Sequence, residues 1–433
     1  MEPLLSPDDV RAAALRVLRE NDLGDWTKPA PRLYPHQWSW DSAFIAIGLA
    51  RIDADRALRE LESLFRAQWA DGRVPHIVFN PAAADYFPGP DRWATAELNA
   101  GAPRAPQTSG LIQPPVHALA LERIWDATSD AGVRARISEL LPKAIAWHRY
   151  LATRRDPDGS GLISIYHPWE SGTDNSPRWD ESFARLEVGE TTPYTRHDLK
   201  HVADPSERPT QAEYDRYLWL VDLLKDVGYD DARVHEGHPF LIKDMLMTAI
   251  FALASESLAR LTGSDEVAQW GHRAAKGVLA ARNAAGLALD LDLRTGQPIN
   301  VCTCAGLSPL LLPELTEEQV QSAYELVCGP SFAGAPGMAF AVVPSTAPGT
   351  HGFQQRSYWR GPSWPIMNWL LWRALVRHNR PDAAHALRAA NLALLSREEA
   401  RFAEYFDPFT AEPLGSLDQS WTAAVTLDWL AAE

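Results

Sequence analysis

Apolar residues recur at three- and four-residue spacing along most of this 433-residue chain. That is the period of helices with one buried face. Segment 7–21 sets Val10, Ala13, Ala14, Val17 and Leu18 on one face. Ser6 stands ready as its N-cap, and Pro7 falls in the first turn, where a missing N–H costs nothing. The same period predicts helices over 42–49, 54–70, 114–128, 131–153, 213–227, 239–262, 264–284, 316–328, 363–378, 381–396 and 417–432. Most fall into pairs with short joints, as antiparallel neighbours do. Strand signals are few and short, at 162–166 and 339–343. About a dozen paired helices suit an α-solenoid or a closed ring of six hairpins. A solenoid shows repeat self-similarity, and none is visible here.

Three long connections interrupt the helices: 71–112, 155–212 and 329–362. They are rich in residues that make turns, and stretches of this length are usually functional loops. Composition does not shift sharply, so the chain reads as one domain, 1–433, with 71–112 and 155–212 as inserted lids. The 17 Trp divide accordingly. Trp147, Trp219, Trp270 and Trp429 lie in helical patterns and read as core. Trp38, Trp40, Trp93, Trp169, Trp179, Trp359 and Trp364 lie in polar loops, where a plain solvent turn needs no ring.

A net charge of −15 argues against a nucleic-acid partner and against loose capture of anions, so an anionic substrate would need a specific Arg. No apolar run approaches the roughly 20 residues that span a bilayer, and residues 1–9 lack the basic and apolar regions of a signal peptide. The reading is a soluble, cytoplasmic protein without a membrane partner; a homo-oligomer stays open. Cys302, Cys304 and Cys328 read as reduced, buried thiols. No metal-ligand spacing, phosphate loop or G-x-S-x-G elbow is present, so neither metal nor cofactor is expected.

Four constellations carry chemistry. Residues 169–180, WESGTDNSPRWD, put Glu170, Asp174 and Asp180 among Trp rings on an irregular loop. Rings cover the apolar faces of a pyranose, and carboxyls move protons. Glu170 and Asp174 share one short segment, so they cannot easily flank a sugar from both sides. Residues 34–42, YPHQWSWDS, offer Tyr34, Trp38, Trp40 and Asp41, with Asp41 or Ser42 also able to cap the next helix. Residues 354–364 offer Tyr358, Trp359 and Trp364, with Ser363 as a further cap. In 402–408, Glu404 is an acid between aromatics, where burial can tune a base. Basic residues near these loops are Arg178, Arg196, Arg208, Arg356 and Arg360; His76 reads as structural.

In this order the constellations resemble glycoside hydrolase family 63, in its bacterial branch of mannosylglycerate and glucosylglycerate hydrolases. The 169–176 stretch also looks like the E-S-G-x-D segment of trehalases. The resemblance covers most of the chain and implies an all-α (α/α)6 barrel. It implies inverting hydrolysis of an α-glycoside of glycerate to free hexose and glycerate. Asp174 matches the general acid and Glu404 the general base. Tyr34, Trp38, Trp40, Asp41, Gln113, Trp169, Tyr358, Trp359 and Trp364 match positions that shape the sugar subsite. Arg208 and Tyr214 match positions that hold the glycerate, with 155–212 as a lid that substrate orders. An α-glucosidase or trehalase-like hydrolase of neutral disaccharides, and an inactive (α/α)6 sugar-binding scaffold, remain as alternatives. No residue can be assigned to read glucose against mannose.

Overall fold

Six elements close a ring: helices Ser39–Leu49, His117–Ala127 and Met245–Thr262, the 3-10 segment Cys304–Leu311, and helices Pro365–Arg377 and Ser420–Ala431. Each packs on the next, and the last packs on the first. Helices Ala54–Arg66, Ala131–Arg154, Asp265–Ala280, Glu317–Cys328 and Pro381–Leu395 pack outside the first five, and Pro7–Asn21 packs outside the sixth. This computed structural model, describing residues 4–83, 86–200, 202, 204–312 and 314–432, is therefore an (α/α)6 barrel. The first three residues of the acidic N-terminal segment lie outside the described residues.

The two rings follow from two sequence patterns. An inner helix touches protein on every side and must be apolar all round. Ser39–Leu49 accordingly buries every residue, and Ser420–Ala431 buries Ser420 through Trp429. Outer helices show one apolar face, as Asp265–Ala280 does with Val267, Trp270, Gly271, Ala274, Ala275 and Val278. The fourth inner element escaped the helical period because it is short, contains Pro309 and is wound as a 3-10 helix. Met245–Thr262 is long and apolar enough to cross a membrane, contrary to the bilayer reading above; here it forms part of the barrel's inner wall.

Direction of travel decides where function can sit. Joints from an inner element to its outer partner are short: 50–53, 128–130, 263–264, 312–316 and 378–380. Returns from outer to inner are long: 22–38, 67–116, 155–244, 281–303, 329–364 and 396–419. All the long connections therefore gather at the N-terminal ends of the inner ring. There they form small antiparallel sheets. Gln37–Trp38 pairs with Ile77–Val78, and Tyr405–Phe406 pairs with Pro413–Leu414. A four-stranded sheet runs in the order Ser164–Ile165, Ile242–Lys243, Asp290–Asp292, Gln297–Ile299. The Gln211–Asp226 helix, started by a Thr210–Glu213 capping box, belongs to this lid region. A second apolar cluster, including Trp69, Trp93 and Tyr229, holds the lids together.

Several expectations shift. The helix expected over 239–262 starts at Met245, because Ile242 and Lys243 enter a sheet and Asp244 caps the helix. No strand forms over 339–343; the Val343 N–H is taken by the Asn368 side chain instead. Neither Asp41 nor Ser42 caps a helix, because the helix begins earlier, at Ser39. Ser363 is no cap either: its backbone bridges to Phe406 and Pro344. Trp93 and Trp179 are fully buried rather than on loop surfaces. Of the thiols, Cys304 is buried, Cys302 half-buried and Cys328 exposed.

The ring closes tightly where its first and last helices meet. A Cβ on Gly48 would fall 2.4 Å from the Ala424 Cα. Gly48→Ala is expected to cost about 1–3 kcal/mol by overpacking, whereas Gly237→Ala, which meets nothing within 4 Å, stays near neutral. Urea unfolding midpoints of the two variants check this.

Candidate active site

At the N-terminal end of the inner ring the long returns enclose a cavity of about 840 Å³, counting its mouth. Trp38, Trp40 and Asp41 enter it from the start of Ser39–Leu49, and Gln113 comes from just before His117–Ala127. Tyr358 and Trp359 come from the return before Pro365–Arg377, and Glu404, Gln419 and Trp421 from the last return and helix. Trp169, Asp174, Arg208 and Tyr214 come from the 155–244 return, and Tyr34 from the first.

The three acids of 169–180 separate by their partners. Glu170 is fully buried and receives two bonds from Arg155, at 2.7 and 2.8 Å. It also accepts the N–H groups of Ile112 and Tyr166, at 3.1 and 2.7 Å. It therefore ties the 67–116 and 155–244 returns together, and breaking such a pair from one side is costly. Asp180 is held by both Nη atoms of Arg360, at 2.8 and 2.6 Å. Among the described residues Asp174 has no such partner: Tyr217 reaches only its backbone carbonyl, at 3.1 Å. The turn before it requires glycine, since Gly172 has φ +71° and a Cβ there would meet the Trp40 ring at 2.5 Å. The turn after it is fixed by Asn175, which accepts the Trp359 N–H at 2.9 Å.

Glu404 is presented by a strained approach. Arg401 and Phe402 both have left-handed backbones, with φ +43° and +46°, costly for side chains of this size. The Glu404 carboxylate accepts the Tyr34 hydroxyl at 2.7 Å and the Ser416 N–H at 3.1 Å. Tyr358, on the facing wall, is also left-handed, at φ +39°.

Burial raises three of the four cavity carboxyls, Asp41, Asp174 and Glu404; at Asp198 burial is outweighed by Arg196 and Arg208, and the pKa falls. Asp174 is pushed up to about 7, mainly by desolvation, with the Glu404 charge adding and Arg208 opposing. Glu404 is also raised by desolvation, but Arg208 and its two donors oppose the shift. Asp41 lies well above the usual carboxylate range, through burial and then the charges of Glu404 and Asp174. The same low-dielectric cavity therefore contains carboxyls suited to keep a proton, Asp174 and Asp41, and one, Glu404, whose donors support it as an anion.

Of the five candidate arginines, only Arg208 lines this cavity. Arg178 is bound to Asp244 and Asp290, Arg196 to Asp198, Arg356 to Glu207 and Glu412, and Arg360 to Asp180. Arg208 donates to the Tyr34 hydroxyl at 3.2 Å and lies 4.2 Å over the Tyr358 ring. Among the described residues its ion pair is looser, 3.6 Å from Asp198.

Trp364 alone among the expected site residues does not reach the cavity. It stacks behind Trp359 at 3.7 Å and 6°, and donates its indole N–H to the Tyr358 carbonyl, so it stiffens the wall from behind. His76 does line the cavity, yet it is a neutral imidazole, held well below its usual pKa by burial and bound to Ser109 at 2.5 Å. Sequence reasoning missed Tyr86, Asp198, Tyr217, Gln419 and Trp421. Gln419 and Trp421 were hidden within the expected last helix; Tyr86 and Asp198 sat within loops already flagged, without a motif.

Comparison with known proteins agrees with this geometry. The model of the "Mannosylglycerate hydrolase MGH1-like glycoside hydrolase domain" matches residues 34–422. A glucosylglycerate hydrolase of Mycolicibacterium hassiacum is 43% identical, covering 99% of each chain. A mannosylglycerate hydrolase of Rubrobacter radiotolerans is 40% identical, covering 97% of this chain and 96% of the relative. The crystal structure of a GH63 mannosylglycerate hydrolase from Thermus thermophilus in complex with Tris superposes with TM-score 0.90 at 39% identity, over 97% of this chain and 99% of that one. A yeast neutral trehalase, at 14% identity and TM-score 0.51, shares the fold alone. The chain is a glycoside hydrolase and belongs to the MGH1-like mannosylglycerate hydrolase family, within glycoside hydrolase family 63.

Proposed function

We propose that this enzyme hydrolyses the α-glycosidic bond of a small glycerate glycoside, 2-O-α-glucosylglycerate or 2-O-α-mannosylglycerate, with inversion. The observation that carries the assignment is the unequal support of the two carboxyls. Asp174, desolvated and without a donor from another residue, keeps its proton near neutrality and acts as general acid on the glycosidic oxygen. Glu404, with two donors and Arg208 nearby, stays ionised and takes the proton of the attacking water as general base. Trp38, Trp40, Trp169, Tyr358 and Trp359 wall the sugar, and Asp41 and Gln113 meet its hydroxyls.

Arg208 supports an anionic aglycone. Its guanidinium is only loosely paired, and a guanidinium forks onto a carboxylate. Tyr214, on the neighbouring lid helix, closes the same side of the cavity. A related GH63 structure was solved with Tris and D-glycerate, and another with glucose; both kinds of fragment have counterparts in this substrate. Six inner elements also point their N-terminal ends toward this region, which favours negative charge there.

Asp174→Asn and Glu404→Gln should each lower kcat by about 10²–10⁴-fold. Proton NMR of the first-formed hexose should show the β anomer; the α anomer would overturn inversion. Arg208→Ala should raise KM for the glycerate glycosides roughly 10–100-fold, the loss of one charge-assisted contact, and leave KM for a neutral α-glucoside unchanged. Faster turnover of trehalose than of either glycerate glycoside would select the neutral-disaccharide reading instead.

The pH profile of kcat/KM should be bell-shaped. Activity is lost above about 7 as Asp174 gives up its proton, and lost in acid as Glu404 is protonated, above the ordinary Glu range. The limbs belong to the carboxyl cluster as a whole. The folded-state pKa of Asp174 is raised, so its ionisation destabilises the fold as pH rises through about 7. Asp174→Asn should therefore melt higher than the parent at pH 8, and the gap should close below pH 4. Melting curves at both pH values check this.

A further inference from the structure

The barrel axis is filled by aromatic rings. Phe44 lies 5.8 Å from Trp40, in the active-site wall, and 5.8 Å from Trp369, further along the axis. Beyond this layer, on the side away from the lids, is a second cavity of about 350 Å³, counting its mouth. Its wall is apolar, made by Leu119, Leu253, Leu311, Leu370 and Trp369, and it is edged by Arg373 and Arg377. Arg51 and Arg123 stand close by.

The charges there do not balance. Asp428 serves Arg51 at 2.7 Å, Arg123 at 3.2 Å and the Trp369 indole N–H at 2.9 Å. Arg377 has Glu256 at 2.7 Å. Arg373 is part-buried, and among the described residues it has no hydrogen bond and no carboxylate in ion-pair range; it lies 5.6 Å over the Trp369 ring, with the charge of Asp428 further off. The Arg123 Nε is buried without an acceptor. Burial and then the neighbouring Arg123 press the Arg373 pKa down to about 10, with Asp428 opposing, in a chain of net charge −15. A guanidinium without a hydrogen-bonded carboxylate, at the edge of an apolar cavity, is placed to fork onto a carboxylate there.

We propose that this pocket binds a small organic carboxylate, with Arg373 as its charge partner and the leucine wall receiving its aliphatic part. The competing account is that the arginines merely answer the negative C-terminal ends of the inner helices. The two accounts give opposite outcomes for Arg373→Met, which keeps the stem but removes the charge. If the pocket binds a carboxylate, sodium butyrate should raise Tm by about 2 °C or more over equimolar sodium chloride. The rise should persist in Arg208→Ala, where active-site capture of anions is weakened, and vanish in Arg373→Met. In chloride, Arg373→Met should melt no lower than the parent and should hydrolyse glycosides normally. A butyrate response that survives in Arg373→Met, or one lost in Arg208→Ala, overturns the site. A response to inorganic phosphate equal to that for butyrate overturns the aliphatic half of the assignment.

Discussion

Six inner elements that run in one direction impose the constraint on which everything else depends. Each outer helix must carry the chain back, so short joints fall at one end and long returns at the other. Irregular backbone, with its turns, left-handed residues and small sheets, is thereby confined to the N-terminal ends of the inner ring. A catalytic cavity assembled from several distant segments needs such a gathering point, and a rigid ring of packed helices supplies it.

Within that cavity, electrostatics rather than residue type separates function from scaffold. Glu170 and Asp174 stand four residues apart on one loop. One is saturated by Arg155 and two backbone N–H groups, the other receives no side-chain donor. The same contrast sorts the arginines: four are consumed by carboxylates, and Arg208 alone lines the cavity. Tyr34 links the two halves of the site, accepting from Arg208 while donating to Glu404. Arg208 and Glu404 thus share one hydroxyl.

The walls are built with comparable economy. Trp359 faces the cavity and Trp364 lies flat behind it, so a sequence reading that treats both as sugar contacts sees one layer where there are two. Gly172 is demanded by the Trp40 ring, and Gly415 leaves room for the Glu404 carboxylate, whose Oε2 would lie 2.6 Å from a Cβ there. The aromatic rings continue from Trp40 through Phe44 to Trp369, which gives the barrel a solid axis and separates its two cavities.

Periodicity in the sequence determined the outer helices, most inner helices and their pairing, because burial of one face or all faces leaves a direct record in residue order. It also exposed the acids and rings of the returns, since loops seldom retain Trp beside carboxyls without use. It did not register the inner 3-10 segment, which is too short and too interrupted for a period. Only the tertiary structure could bring Asp174 to Glu404, 230 residues apart in the chain, and only it could distinguish them from Glu170 and Asp180. A carboxyl's role is set by its desolvation and its donors, and those come from segments remote in sequence.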